Sequence, residues 1–163
     1  MAIRVSLKDI LIRVEPAAGA APSIATDPVA AGGLGGGVAA ILTELATLLE
    51  HLARSDTSAA IDLRSLPMSP QDRTELEQVL GEGEVRATVS AQGWSTVRET
   101  RVSGIWWVEH RDVQGEPVAE LLEVTRIPQI LTSAPDEIAA SAEMLRARIG
   151  AGRPSEEQRR WST

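Results

Sequence analysis

Acid–base or metal chemistry in this chain would have to start from two histidines, His51 and His110, and 23 Asp and Glu residues, because there is no cysteine among its 163 residues. A histidine that ligates a metal needs a second ligand at helical or hairpin spacing, and neither histidine has one. The pairing left to test is His110 with Glu109 or Glu123, as a nickel or zinc carrier. The absence of cysteine excludes disulfides, thiolate nucleophiles and protein-supplied iron–sulfur ligation, and it fits a reducing cytoplasm. There is no G-x-S-x-G, and a serine triad would have to take one of only two histidines as its base. The run "GGLGGGVAAIL" precedes a helix but lacks the G-x-x-x-x-G-K-[ST] spacing of a phosphate loop, and it reads as a connector. In "GEGEV" (81 to 85) Glu82 and Glu84 would repel an anion. No catalytic residue, metal site or cofactor is expected.

The stretch "SGIWWVEHRD" (103 to 112) carries chemistry of another kind. The chain has four Trp and neither Phe nor Tyr, yet two of the four are adjacent. On a strand, Trp106 and Trp107 point to opposite faces. Ile105, Trp107, Glu109 and Arg111 share the face that bears the charges, so Trp106 is assigned to the core and Trp107 to an outer, partly covered face. With "RETR" (98 to 101), this makes an aromatic ring rimmed by Arg and Glu. Such a composition suits a protein-binding patch, in which Trp and Arg are over-represented. The candidate contacts are Glu82, Glu84, Arg98, Glu99, Trp107, Glu109, Arg111 and Arg126. The bland alternative is a solvated sheet face with cross-strand ion pairs, or a Trp107 covered by the chain's own helix or tail.

The elements that must position these residues follow from periodicity. Val38, Ile41, Leu42, Leu45, Leu48, Leu49 and Leu52 recur at three- and four-residue steps, giving a helix that ends near Arg54. "SAAIDLRSLP" (58 to 67) reads as a short buried strand. "SPQDRTELEQVLG" is a second helix with Ser69 as N-cap, Pro70 at the first position, Asp72 as capping-box acid and Gly81 as stop. The period then changes to two: strands from Val85 to Ala91, 94 to 102, 104 to 111 and 118 to 127 are expected to form an antiparallel meander. Pro135 and Asp136 open a third helix with Ile138, Ala142, Leu145 and Ile149 on one face. Residues 2 to 14 alternate loosely, as an edge strand or a short hairpin would.

The expected fold class is α/β of the α+β kind: a two-layer sandwich with a mainly antiparallel four- to five-stranded sheet and about three packed helices. Residues 1–37 form an N-terminal segment and Gly/Ala/Pro-rich linker, 38–149 the domain, and 150–163 a polar tail. A length of 163 residues with 43% hydrophobic content suffices for one such core. A net charge of −7 disfavours nucleic acid and an anionic membrane surface as partners. The most apolar window, 38 to 53, is short for a bilayer span and is interrupted by Glu44, Glu50 and His51.

Three stretches together resemble a known family. "AAIDLRSLPMSPQDRTELEQVLGEGEV", "VRETRVSGIWWVEHRDVQGEPVAELLEVTRIPQIL" and, more weakly, "SLKDILIRV" are similar to the HupH/HyaF type of hydrogenase expression/formation protein, in its C-terminal conserved region. The most specific parts are Leu80 to Val85, Arg98 to Thr100 with the G-x-W-x-V of Gly104, Trp106 and Val108, and Glu123 to Pro128. Trp107 is this chain's own addition to that pattern. The resemblance implies a non-enzymatic accessory role in maturing a nickel–iron hydrogenase, as a cytoplasmic chaperone of the iron–sulfur small-subunit precursor. Other maturation proteins are further partners it implies, and help with nickel incorporation is its alternative; a third reading, from the residues themselves, is a homodimer closed through the Trp107 face.

Overall fold

The structure is a computed structural model and describes residues 12–16, 34–91 and 93–151. It contains β1 (Ile12–Pro16), α1 (Gly36–Ser55), β2 (Ala59–Asp62), α2 (Pro70–Leu80), β3 (Val85–Ala91), β4 (Gly93–Glu99), β5 (Ile105–Arg111), β6 (Pro117–Val124) and α3 (Pro135–Ala151). Short 3-10 turns at Leu63–Ser65 and Gln129–Leu131 complete the order. The six strands form one sheet, β1-β3-β4-β5-β6-β2, in which every neighbouring pair is antiparallel. The meander and the α+β class are as expected. The strand expected over 58 to 67 stops at Asp62, whose carboxylate accepts the Arg64 N–H at 3.0 Å and turns the chain. Strands expected over 2 to 14 and a tail over 150 to 163 lie mostly outside the described residues.

Helix α2 is fixed at both ends by its sequence. Ser69 Oγ accepts the Asp72 N–H at 3.1 Å, while the Asp72 carboxylate accepts the Ser69 N–H at 2.9 Å, a reciprocal capping box. Gly81 ends the helix at a φ of 63°, where a side chain would be strained and would also collide with Arg101. The start of α1 has no side-chain cap of its own; its Gly35 N–H donates instead to the Glu75 carboxylate of α2 at 3.3 Å. A negative group at a helix N-terminus is favourable, and here it also ties the two helices together.

The core has two parts, one on each side of the sheet. On one side Val38, Ile41, Leu45 and Leu52 of α1 and Leu76 and Leu80 of α2 close over Ile105, Trp107, Leu122 and Val124. On the other, Ala87, Val97, Trp106 and Val108 pack with Ile130 and Leu131 of the second 3-10 turn. Trp106 is in the core as expected, but Trp107, expected on an outer face, is buried as well. Trp107 faces the helices and Trp106 the smaller cluster, where its indole N–H donates to the Thr125 carbonyl at 3.1 Å. Alternation sets the two rings on opposite faces, as expected, but the face that carries the charges is not the exposed one. The charges beside Trp107 are paired beneath α2 instead.

At 20 residues α1 is longer than its 38 to 53 window, and by length and composition alone it could cross a membrane. Its Val38, Ile41, Leu45 and Leu52 are buried in the core. The chain divides into two compact units at Leu131/Thr132. Within the second, α3 opens with the Ala134 N–H donating to Glu137 at 3.2 Å, and its Ile138, Leu145 and Ile149 are exposed rather than buried.

Leu76 has no exposed surface and Ile138 is 58% exposed, so the two test the core assignment in opposite directions. In urea unfolding, Leu76→Ala is expected to cost about 2–5 kcal/mol, and Ile138→Ala no more than about 0.5 kcal/mol.

Candidate functional site

Trp107 sits mid-strand on β5, opposite Arg98 of β4 and Leu122 of β6. The same face of β6 carries Glu120, only 3% exposed although it is an acid on a core-facing position. Its carboxylate is held from two directions. The Trp107 indole N–H donates to Glu120 Oε1 at 2.7 Å, and Arg73 of α2 reaches down with both terminal nitrogens in a bidentate ion pair. Arg98 donates to Glu77, one turn further along α2, at 3.3 Å. The Arg98 and Arg73 guanidinium groups lie over the Trp107 ring at 5.2 and 5.8 Å from its centre, within cation–π range. The result is an alternating stack of cation, ring and carboxylate that fastens α2 to the sheet. Beside it opens a cleft of about 350 Å³, with Leu63, Leu66 and Met68 on its apolar wall and Arg64, Arg73 and Glu120 on its polar one.

The eight residues expected as contacts divide among several places. Trp107 is 3% exposed, so its ring serves as the base of a surface and is unavailable as a direct contact or as a dimer seam. Arg98 reaches the surface above it, and Glu109 and Arg111 form an ion pair further along the same face. Glu99 points to the opposite face, beside Trp106 in register. Glu82 pairs with Arg86 in the turn from α2 to β3, and Glu84 lies exposed two residues on. Arg126 pairs with Asp56 at the C-terminal end of α1, at 2.7 Å. Sequence reasoning missed Arg73, Glu77 and Glu120. Glu120 did leave a signal, since in "VAELLEV" it shares the parity of Leu122 and Val124, an acid on an otherwise apolar face.

His110 stands on the face opposite Glu109, so these two neighbours cannot chelate together. Its Nδ1 is 2.7 Å from Ser95 Oγ on the adjacent strand. Glu123 shares its face; burial pushes that carboxyl above its ordinary value, partly offset by the attraction of His110. Among the described residues no three His, Cys, Asp or Glu side chains cluster closely enough to hold a metal ion.

The HupH hydrogenase expression protein family, in its C-terminal conserved region, matches residues 37–151. This chain belongs to that family. The HupH-type match takes in both core helices, strands β2 to β6 and α3. Among relatives, the hydrogenase expression/formation protein HoxQ of Azotobacter vinelandii is 39% identical over 90 residues, 55% of this chain and 32% of the relative. The hydrogenase-1 operon protein HyaF of Escherichia coli is 29% identical over 99 residues, 60% of this chain and 35% of the relative. The chain thus spans about a third of the length of those relatives. The solved structure of the hydrogenase expression protein HupH from Thiobacillus denitrificans superposes with a TM-score of 0.67 at 35% identity, covering 70% of this chain and 95% of that one. In HupH terms, the cation–ring–carboxylate stack lies within the matched region.

Glu120 is buried while Arg73 is half exposed, so it is removal of the arginine that leaves a buried charge without its ion-pair partner, and Arg73→Met is expected to lose roughly 3–5 kcal/mol in urea unfolding. The double variant Arg73→Met/Glu120→Leu should recover much of that loss. For Glu123 the sign follows from its raised pKa. The folded chain binds that proton more tightly than the unfolded chain, so the group subtracts stability once pH rises above about 4.5, its ordinary value. Glu123→Gln is therefore expected to unfold at higher urea than wild type at pH 7, with the difference vanishing below pH 4.5. An equal gap at both pH values would contradict the assignment.

Proposed function

We propose that this chain is a non-catalytic accessory protein of nickel–iron hydrogenase maturation, acting in the cytoplasm by binding the iron–sulfur small-subunit precursor. Membership of the hydrogenase expression family carries the reading. The chemistry of the site supports a binding role. Arg73, Glu120, Arg98 and Glu77 are all engaged with one another around an indole, which builds a rigid polar surface instead of a reactive group. Such a surface is already ordered before a partner arrives, which lowers the entropic cost of binding. The partner is held transiently, and its unassembled surface is shielded until the large subunit or the export machinery takes it over.

The polar rim above the stack, Arg98 with Glu109 and Arg111, is the surface assigned to the precursor. Co-purification with small-subunit and large-subunit precursors, presented separately and with metal analysis of each fraction, tests this. The expected result is a metal-free complex with the small subunit, weakened by Arg111→Ala. Capture of the large subunit alone, or nickel retained by the isolated chain and lost in His110→Ala, would contradict it.

A further inference from the structure

The turn joining β5 to β6 is built more rigidly than a solvent loop requires. Asp112 accepts the backbone N–H groups of Gln114 and Glu116 at 2.9 Å each, and its own N–H donates to the Glu116 carbonyl at 3.0 Å. Arg111 closes the turn from behind, donating to the Gly115 carbonyl at 2.9 Å while it pairs with Glu109. The Trp94 indole lies against this turn; a Cβ on Gly115 would come 3.1 Å from its ring edge. On this frame stand apolar groups that the described residues leave partly or largely uncovered: Trp94 is 39% exposed, Val113 67% and Val118 60%. Val118 sits where the β5–β6 register slips, next to Arg111. In a chain with only four aromatic residues, an exposed indole on a locked turn is a costly feature to leave in water.

The charges around it indicate what it fits. Arg111 is neutralised by Glu109, whereas Asp112 and Glu116 have no ion-pair partner among the described residues. Arg64 donates to the Pro117 carbonyl at the edge of the patch, which therefore presents an indole and two valines beside one cation and two carboxylates that have no ion-pair partner among the described residues. The complement of this patch is a segment with apolar side chains and a Lys or Arg.

We infer that the Trp94–Val113–Val118 tip is a second docking surface, and that its occupant is an apolar, positively charged segment of the precursor protein. This rests on the proposed role in hydrogenase maturation, and it deepens that role by naming a contact and its chemistry. Trp94 supplies the buried anchor, since indoles dominate interface energetics. Asp112 and Glu116 give the orientation and the salt dependence.

The experiment measures binding of the intact small-subunit precursor, and of overlapping 15-residue peptides covering its sequence, to wild type, Trp94→Ala and Glu116→Lys. Circular dichroism and urea midpoints check that the variants are folded; Glu116 is exposed and its replacement touches no core contact. The expected result is at least a tenfold loss of precursor binding for Trp94→Ala. The peptides bound by wild type should carry apolar residues with Lys or Arg. Glu116→Lys should bind them more weakly than wild type does, and should regain binding to a peptide whose basic residue is replaced by Glu. Unchanged binding in both variants, or selection of acidic peptides, overturns the inference and leaves the proposed role standing. No binding of the precursor or its peptides by wild type overturns both.

Discussion

A carboxylate with 3% of its surface in contact with water has to be held by donors that stay in place, and Glu120 sets that condition for the helix-covered side of this protein. Its partners come from α2 and from β5, so satisfying one acid fixes how a helix lies on a sheet. The order of the surrounding elements follows. Arg73 reaches Glu120 because α2 begins only three residues earlier, at Pro70, behind the Ser69 capping box. Glu77, one turn on, meets Arg98 of β4, and between them Leu76 enters the apolar core. The Trp107 ring is enclosed as a consequence, with cations over it and an acid at its N–H.

In the role proposed for this chain, the same stack would suit this side of the sheet to holding a partner. Charges that are already paired on rigid elements need little reorganisation on contact, and the specificity of such a surface comes from where they are fixed. The β5–β6 turn extends this logic to the end of the sheet, where Asp112 locks the backbone and Trp94 rests on Gly115. The relation to HoxQ and HyaF over a third of their length makes this chain one region of a larger design in those relatives.

Much of this architecture is written locally. The Ser69-Pro70-x-Asp72 opening and Gly81 stop give α2 to the residue, because capping chemistry acts over four or five neighbours. The hairpins are equally plain, since period-two alternation and a Gly at the turn require nothing from distant parts of the chain. The inside and outside of β5 are not written that way. Both its faces are covered, one by α1 and α2 and the other by the Ile130–Leu131 turn, so alternation separates Trp106 from Trp107 without saying which is deeper. Glu120 was hidden for a related reason: an acid on an apolar strand is intelligible only when the arginine 47 residues earlier in the chain is brought to it.

In the proposed role, the outer surface over the Glu120 stack and the adjoining turn meet a hydrogenase precursor, while the stack itself stays closed. Amide hydrogen exchange of the chain alone and in the presence of the small-subunit precursor addresses it directly. The expected result is new protection in β4 and in residues 109 to 118, with exchange at Trp107 and in α1 already slow and unchanged. Protection centred on α1, or opening of the Trp107 strand on binding, would contradict it.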